Sequence, residues 1–249
     1  RYLLTCDAED RVLEHVNLYI EDGVIKDITD KPVQADEVLD GTGMCLYPGL
    51  INAHHHLYQI FTRNLPQVQN MELFPWLVSL YDLWKNIDDN VIYETSLVGM
   101  GELAKNGCTT CFDHHYVFPD GQTDLIDTQF HAAEKLGIRM HASRGSMSLS
   151  KKDGGLPPDS VVQETDDIIR DSQRLVEKFH DPNPFSMRQV ALAPCSPFSV
   201  TPDLMRESAK LARSLGVRLH THLAETKDEE KFTLETYGMR PLAYMESLG

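Results

Sequence analysis

No apolar run in this sequence approaches the roughly 18 residues that a membrane-crossing helix requires, although hydrophobic residues make up 41% of its 249 positions. Positive charge is scarce: 23 Lys and Arg stand against 38 Asp and Glu, a net charge of −15. A surface of that sign repels a phosphate backbone and argues against a nucleic-acid binder, but it leaves a single nucleobase open as a small-molecule ligand. The five cysteines are odd in number and widely scattered. They do not form a disulfide framework, and the expectation is reduced thiols in a cytoplasmic protein. There is no phosphate loop, no Rossmann glycine pattern, no internal repeat and no low-complexity tract. No signal-peptide pattern occupies Arg1–Ala8, and the missing initiator Met leaves the true start open.

What is present centres on Pro48–Gln59, PGLINAHHHLYQ. Pro48 and Gly49 punctuate the chain, and Leu50 and Ile51 lead an apolar strand into three histidines. Alternate side chains of a strand share a face. His54 and His56 therefore point together while His55 points away, which makes half of a divalent-metal site.

The length suffices for one large α/β domain or two smaller ones. Arg1–Asp40 reads as a small β unit: Val16, Leu18 and Ile20 alternate with polar neighbours, and Asp22-Gly23 is a two-residue hairpin signal. From Cys45 onward, strand segments Leu46–Ala53, Thr109–Asp113, Ile138–Ser143, Gln189–Ala193 and Val217–Leu223 alternate with helical ones. The helices are Val91–Asn106, Thr123–Leu136, Ser160–Phe179 and Pro202–Leu215. Gly107 and Gly137 are helix stops, and Thr201-Pro202 pairs an N-cap with Pro at the first helical position. Strand–helix alternation implies an α/β fold with a parallel sheet. Five such units with chemistry at the strand ends favour a (β/α)8 TIM barrel over a doubly wound sheet. Five units do not close an eight-stranded barrel, so either the chain is incomplete or the architecture is not a full barrel. The loop Asp153–Pro158 is either a lid over the strand ends or a passive surface loop.

A second motif is His220-Thr221-His222-Leu223-Ala224-Glu225. His220 and His222 share one strand face, and His222, nearer the strand end, is the better metal ligand. Glu225 opens the following loop, close enough to move protons between a water and a substrate without ligating a metal. A helix N-terminal carboxylate is the plainer reading of Glu225. Cys108-x-x-Cys111 with His114 and His115 has zinc-cluster spacing, but on a strand the two cysteines face opposite ways.

Pro48–His56 followed by His222-Leu223-Ala224-Glu225 resembles the amidohydrolase superfamily. The closer resemblance is to its nucleobase and s-triazine aminohydrolase branch, and within that to the 8-oxoguanine deaminases. It is carried by His55–Gln59, Glu72–Phe74 with Trp76-Leu77, His141–Gly145, Gly154–Val162 and Ala193–Ser199. It covers most of residues 48–249, and residues 1–47 look like the first part of the family's small β-sandwich.

The resemblance implies one divalent ion, zinc or iron, on His54, His56 and His222, with Glu225 as proton shuttle. It implies hydrolytic deamination of a purine-like base, 8-oxoguanine to urate plus ammonia, with guanine, pterins or s-triazines as alternatives. It further implies substrate contacts from Gln59, Trp76, Arg144 and Cys195, and a homo-oligomer. The family's sixth-strand histidine and eighth-strand aspartate have no counterpart here, so the expectation is a truncated chain. A metal- or ligand-binding fragment without turnover is the alternative of a different class. The other deaminase architecture, with its P-C-x-x-C signature, is unmatched: Pro194-Cys195-Ser196-Pro197 lacks the second cysteine.

Overall fold

The computed structural model of the protein describes residues 2–249; Arg1 lies outside the described residues. The chain divides into two compact units, residues 1–50 and 51–249.

The first unit holds two small sheets. Strand β1 (Tyr2–Leu4) pairs antiparallel with β2 (Val12–Glu14), while β3 (Asn17–Glu21) pairs antiparallel with β4 (Val24–Thr29). Asp22 and Gly23 join β3 to β4 with φ of 51° and 73°, the two positive values that a type I′ hairpin turn needs. The strand expected over Leu46–Ala53 is in fact two. Cys45–Leu46 (β5) pairs parallel with β1, and a new strand, β6 (Leu50–His55), follows. Tyr47-Pro48-Gly49 separates them, because Pro48 has no amide to give a ladder.

The second unit is built on the sheet β6-β7-β8-β9. Strand β7 (Cys108–His115) runs parallel to β8 (Arg139–Ser146), and β8 runs parallel to β9 (Arg188–Pro194). Each strand extends beyond its expected core at the C-terminal end, so His114, His115 and Arg144 lie within the sheet. The expected fifth strand, Val217–Leu223, is only a bridge of Leu219 to Leu192. The His220 N–H donates to Leu192 O at 2.9 Å and the His222 N–H to Cys195 O at 2.9 Å, which holds this stretch beside β9. No sheet among the described residues is a closed barrel.

Among the described residues, seven α-helices cover and connect these strands. They are α1 (Leu73–Trp84), α2 (Asp89–Lys105), α3 (Leu125–Leu136), α4 (Thr165–Phe179), α5 (Pro202–Leu215), α6 (Lys227–Tyr237) and α7 (Pro241–Ser247). Helix α5 starts as expected, with the Thr201 hydroxyl accepting from Leu204 N and Pro202 in the first turn. Helix α3 stops at Gly137 with φ of 70°, a left-handed cap that a side chain would strain. The expected helix Ser160–Phe179 is interrupted: a short 3-10 turn at Asp159–Val161 precedes α4.

Helix α1 is not among the helices expected from sequence. Pro75 sits in the first turn, where no amide is needed. Trp84 at the helix end is fully buried and donates its indole N–H to Thr62 Oγ1 at 3.1 Å. The loop Asp153–Pro158 is tied in place by backbone bonds: Leu156 N donates to Phe198 O at 3.0 Å and Lys151 N to Pro157 O at 2.7 Å.

Candidate metal centre

His54 sits in β6, and His56 lies just past its end. Their Nε2 atoms are 3.1 Å apart. His55 turns the other way, onto a surface shared with Gly99 and Glu102. From the stretch beside β9, His222 places its Nε2 3.2 Å from that of His56.

The opposite ring nitrogens decide what these contacts are. His56 Nδ1 lies 2.6 Å from the His114 carbonyl oxygen, and His222 Nδ1 lies 2.9 Å from that of Cys195. A carbonyl only accepts, so both Nδ1 atoms carry the proton and both Nε2 atoms present lone pairs. Burial first, and then the neighbouring imidazole of His222, pushes the His56 pKa down to about 3. Burial pushes that of His222 down to about 4. Neither ring gains a second proton near neutral pH.

Lone pairs facing each other at 3.2 Å repel unless a cation lies between them. Three nitrogens at 2.0–2.1 Å from a tetrahedral ion stand about 3.3 Å apart. The separations of 3.1 and 3.2 Å fit that geometry, so the donor set suits a divalent ion such as zinc.

Two further histidines complete the cluster, and neither was assigned a part from sequence. His220 Nε2 lies 3.1 Å from His54 Nδ1. When His54 offers its Nε2 lone pair to an ion, its Nδ1–H donates to His220, which fixes ring and tautomer. His114 falls within the same group of converging ligand atoms. Its ring, however, stacks on His222 with centroids 4.4 Å apart and planes 17° from parallel. Two stacked rings cannot both aim in-plane lone pairs at one ion, so His114 backs His222 while its carbonyl orients His56. The hint in the sequence was alternation: Phe112, His114 and Tyr116 share one face of β7 and its extension.

Below the cluster, Asp113 is fully buried. Its carboxylate accepts from Leu57 N at 2.6 Å and from Gln129 Nε2 at 2.6 Å. Leu57 follows His56 directly, so this bond anchors the turn that ends the HHH motif. Burial raises the Asp113 pKa to about 7.

A cleft of about 450 Å³ opens beside the cluster. It is lined by His56, His222, Glu225, Gln59, Trp76 and Cys195, together with Tyr81, Tyr116 and Phe198. The size and aromatic walls suit a small planar ligand. Glu225 stands at the cleft with its pKa raised, by partial burial of the carboxyl and then by the nearby Glu229 carboxylate. The Cys195 thiol is buried, with its pKa raised to about 12, so it remains protonated.

Arg144, expected to bind substrate, is not brought to this cleft. Its guanidinium is 1% exposed and each nitrogen has a protein partner: Nε donates to Asp171 Oδ2 at 2.6 Å, Nη2 to Gln163 Oε1 at 2.9 Å, and Nη1 to Gly145 O. It packs 3.8 Å over the Phe118 ring and faces a separate cleft with Arg170 and Arg174. The pairing with Asp171 across α4 was invisible to a reading of β8 alone. The zinc spacing of Cys108, Cys111, His114 and His115 also assembles no site: the group of converging ligand atoms draws only His114 from β7.

Comparison with known proteins identifies what the chain is similar to. Residues 45–249 match the profile of the amidohydrolase family. The chain is 47% identical over 236 residues to an 8-oxoguanine deaminase of Pseudomonas aeruginosa, covering 93% of this chain and 53% of that protein. It is 41% identical over 261 residues to a hydroxydechloroatrazine ethylaminohydrolase of Pseudomonas sp. strain ADP, covering 99% of this chain and 54% of that protein. The zinc-complexed structure of an atrazine chlorohydrolase from Arthrobacter aurescens superposes with a TM-score of 0.86 at 31% identity, covering 100% of this chain and 56% of the other. The chain thus spans about half the length of the relatives it matches.

Proposed function

The chain belongs to the amidohydrolase family, and from that premise we propose that it serves a metal-dependent hydrolytic deaminase of a purine-like base, with 8-oxoguanine as the substrate. The observation that carries this reading is the convergence of three Nε2 atoms, those of His56 and His222 left unprotonated by their carbonyl partners, at the wall of an aromatic cleft that also holds Glu225.

His54, His56 and His222 would hold one divalent ion, zinc or iron. Such an ion acts as a Lewis acid and lowers the pKa of water towards about 7. The remaining work falls to the chain's own residues. Trp76 walls the cleft and keeps a planar ring oriented. Gln59 offers both a donor and an acceptor to the edge of the base. Cys195 fills the floor as a small protonated thiol, while its carbonyl holds the ring of His222. Glu225 takes a proton from the hydrolytic water and passes it to the ring nitrogen beside the amino-bearing carbon; it then takes the hydroxyl proton of the resulting adduct and hands it to the amino group, which leaves as ammonia while the carbonyl forms. Water adds across the ring C=N bond and ammonia is lost, so 8-oxoguanine gives urate.

A second reading, an s-triazine aminohydrolase, is supported by the 41% identity to a triazine-acting relative. Initial rates of ammonia release separate the two. The native protein should show its highest kcat/KM on 8-oxoguanine within a panel of guanine, a pterin and hydroxylated aminotriazines. A preference for the triazines establishes the second reading. Metal binding without ammonia from any of them identifies a non-catalytic binding protein.

A further inference from the structure

The loop that carries Glu225 ends in a buried carboxylate with no part in the reading above. Glu229 is 1% exposed. Its Oε1 accepts from Ala224 N at 2.9 Å and its Oε2 from Glu225 N at 2.7 Å. Ala224 has φ of +57°, a left-handed conformation that a residue with a Cβ adopts only when its surroundings hold it there. Two successive N–H groups next to a left-handed residue form a concavity suited to an anion, and one carboxylate fills it with both oxygens. Glu229 is itself fixed: its own N–H donates to the Thr226 hydroxyl at 3.4 Å, in the first turn of α6. The sequence Thr226-x-x-Glu229 is a capping box whose acid reaches past the cap to the two residues before it.

We propose that Glu229 is the positioning residue of the proton shuttle: by clamping the Ala224 and Glu225 amides it holds the Glu225 carboxylate in the cleft. The inference rests on the role given to Glu225 above. It predicts an effect transmitted through one residue, because Glu229 is occupied by the backbone and reaches neither ligand nor cleft. Displacement of a reacting group by about 1 Å costs on the order of 10²-fold in rate.

The test is a double-mutant cycle in the native protein, using ammonia release. Glu229→Ala should lower kcat by about 10–100-fold with KM and metal content little changed. The same substitution in a Glu225→Gln background should cost less than about threefold, because the group it positions is already disabled. Glu229→Gln keeps one acceptor oxygen and should recover part of the rate; this isosteric variant also carries the test if the alanine variant does not fold. Hydrogen exchange at the Ala224 and Glu225 amides should accelerate in Glu229→Ala. A full loss that persists in the Glu225→Gln background, or an unchanged kcat in Glu229→Ala, overturns the proposal. An unchanged kcat in Glu225→Gln alone instead overturns the role of Glu225.

Discussion

The Nε2 atoms of His56 and His222 stand 3.2 Å apart, and neither has a proton to give the other. Each ring has spent its single proton on a carbonyl at the far side, that of His114 for His56 and that of Cys195 for His222. Two backbone carbonyls, one in β7 and one just past the end of β9, therefore set the tautomers of two side chains so that both offer lone pairs to the same point. His54 joins them from β6 with its own Nε2 at 3.1 Å.

The partner of His54 should matter nearly as much as the ligands. His220 Nε2 lies 3.1 Å from His54 Nδ1 and accepts from it when His54 turns its Nε2 lone pair to an ion. Replacing His220 by Ala should weaken metal affinity by about 10–100-fold, measured by chelator competition. Glutamine, which retains an acceptor, should restore part of the loss. Unchanged affinity in His220→Ala would show that the contact does not orient the ligand.

Glu225 should separate from the ligands in its effects. Glu225→Gln should lower kcat by roughly 10²–10⁴-fold while metal content stays intact. Rates and metal analysis on the same preparation check this; loss of metal in the variant would reassign Glu225 as a ligand.

The buried carboxyl of Asp113 gives a pH-dependent stability. Its pKa in the fold is raised to about 7, against about 3.9 unfolded. A raised acid binds its proton more tightly in the folded state, so its contribution is full below about pH 4 and is lost as pH rises through about 7. Asn at 113 can still accept from Leu57 N and does not titrate. Thermal unfolding of Asp113→Asn should therefore lose less stability than wild type between about pH 5 and pH 8, a difference of at most about 3 kcal/mol. Parallel pH profiles for the two proteins would refute the assignment.

Arg144 should prove structural. Its guanidinium is buried against Asp171 and Gln163. Arg144→Ala removes one of two arginine partners of Asp171, Arg174 remaining at 2.8 Å, and should cost about 1.5–3 kcal/mol in denaturant unfolding, with KM for the base little changed. A large KM effect at unchanged stability would return Arg144 to the substrate site.

The sequence made the site's primary residues readable because period-two alternation governs them: His54 with His56, and His222 at the end of its strand. The strand–helix alternation from Cys45 onward was readable for the same reason. What escaped were relationships between distant segments. Nothing local to His114 shows that its carbonyl faces His56 or that its ring stacks on His222. Nothing in His141–Gly145 shows that Arg144 turns to Asp171 on α4. Helix α1 was not among the helices expected, and its proline is harmless in a first turn. The stretch 217–223 has strand composition but meets β9 through only a few bonds, so it forms a bridge rather than a ladder. Nothing local to Glu229 shows that its carboxylate grips the Ala224 and Glu225 amides.

Metal analysis of the native protein tests the central claim most directly, with wild type, His56→Ala and His222→Ala purified side by side. The account predicts one zinc or iron per chain in wild type, with nitrogen ligands about 2.0–2.2 Å from the ion by X-ray absorption, and little or none in either variant. Wild-type protein that deaminates its base with no bound metal, or variants that hold the ion as tightly as wild type, would contradict it.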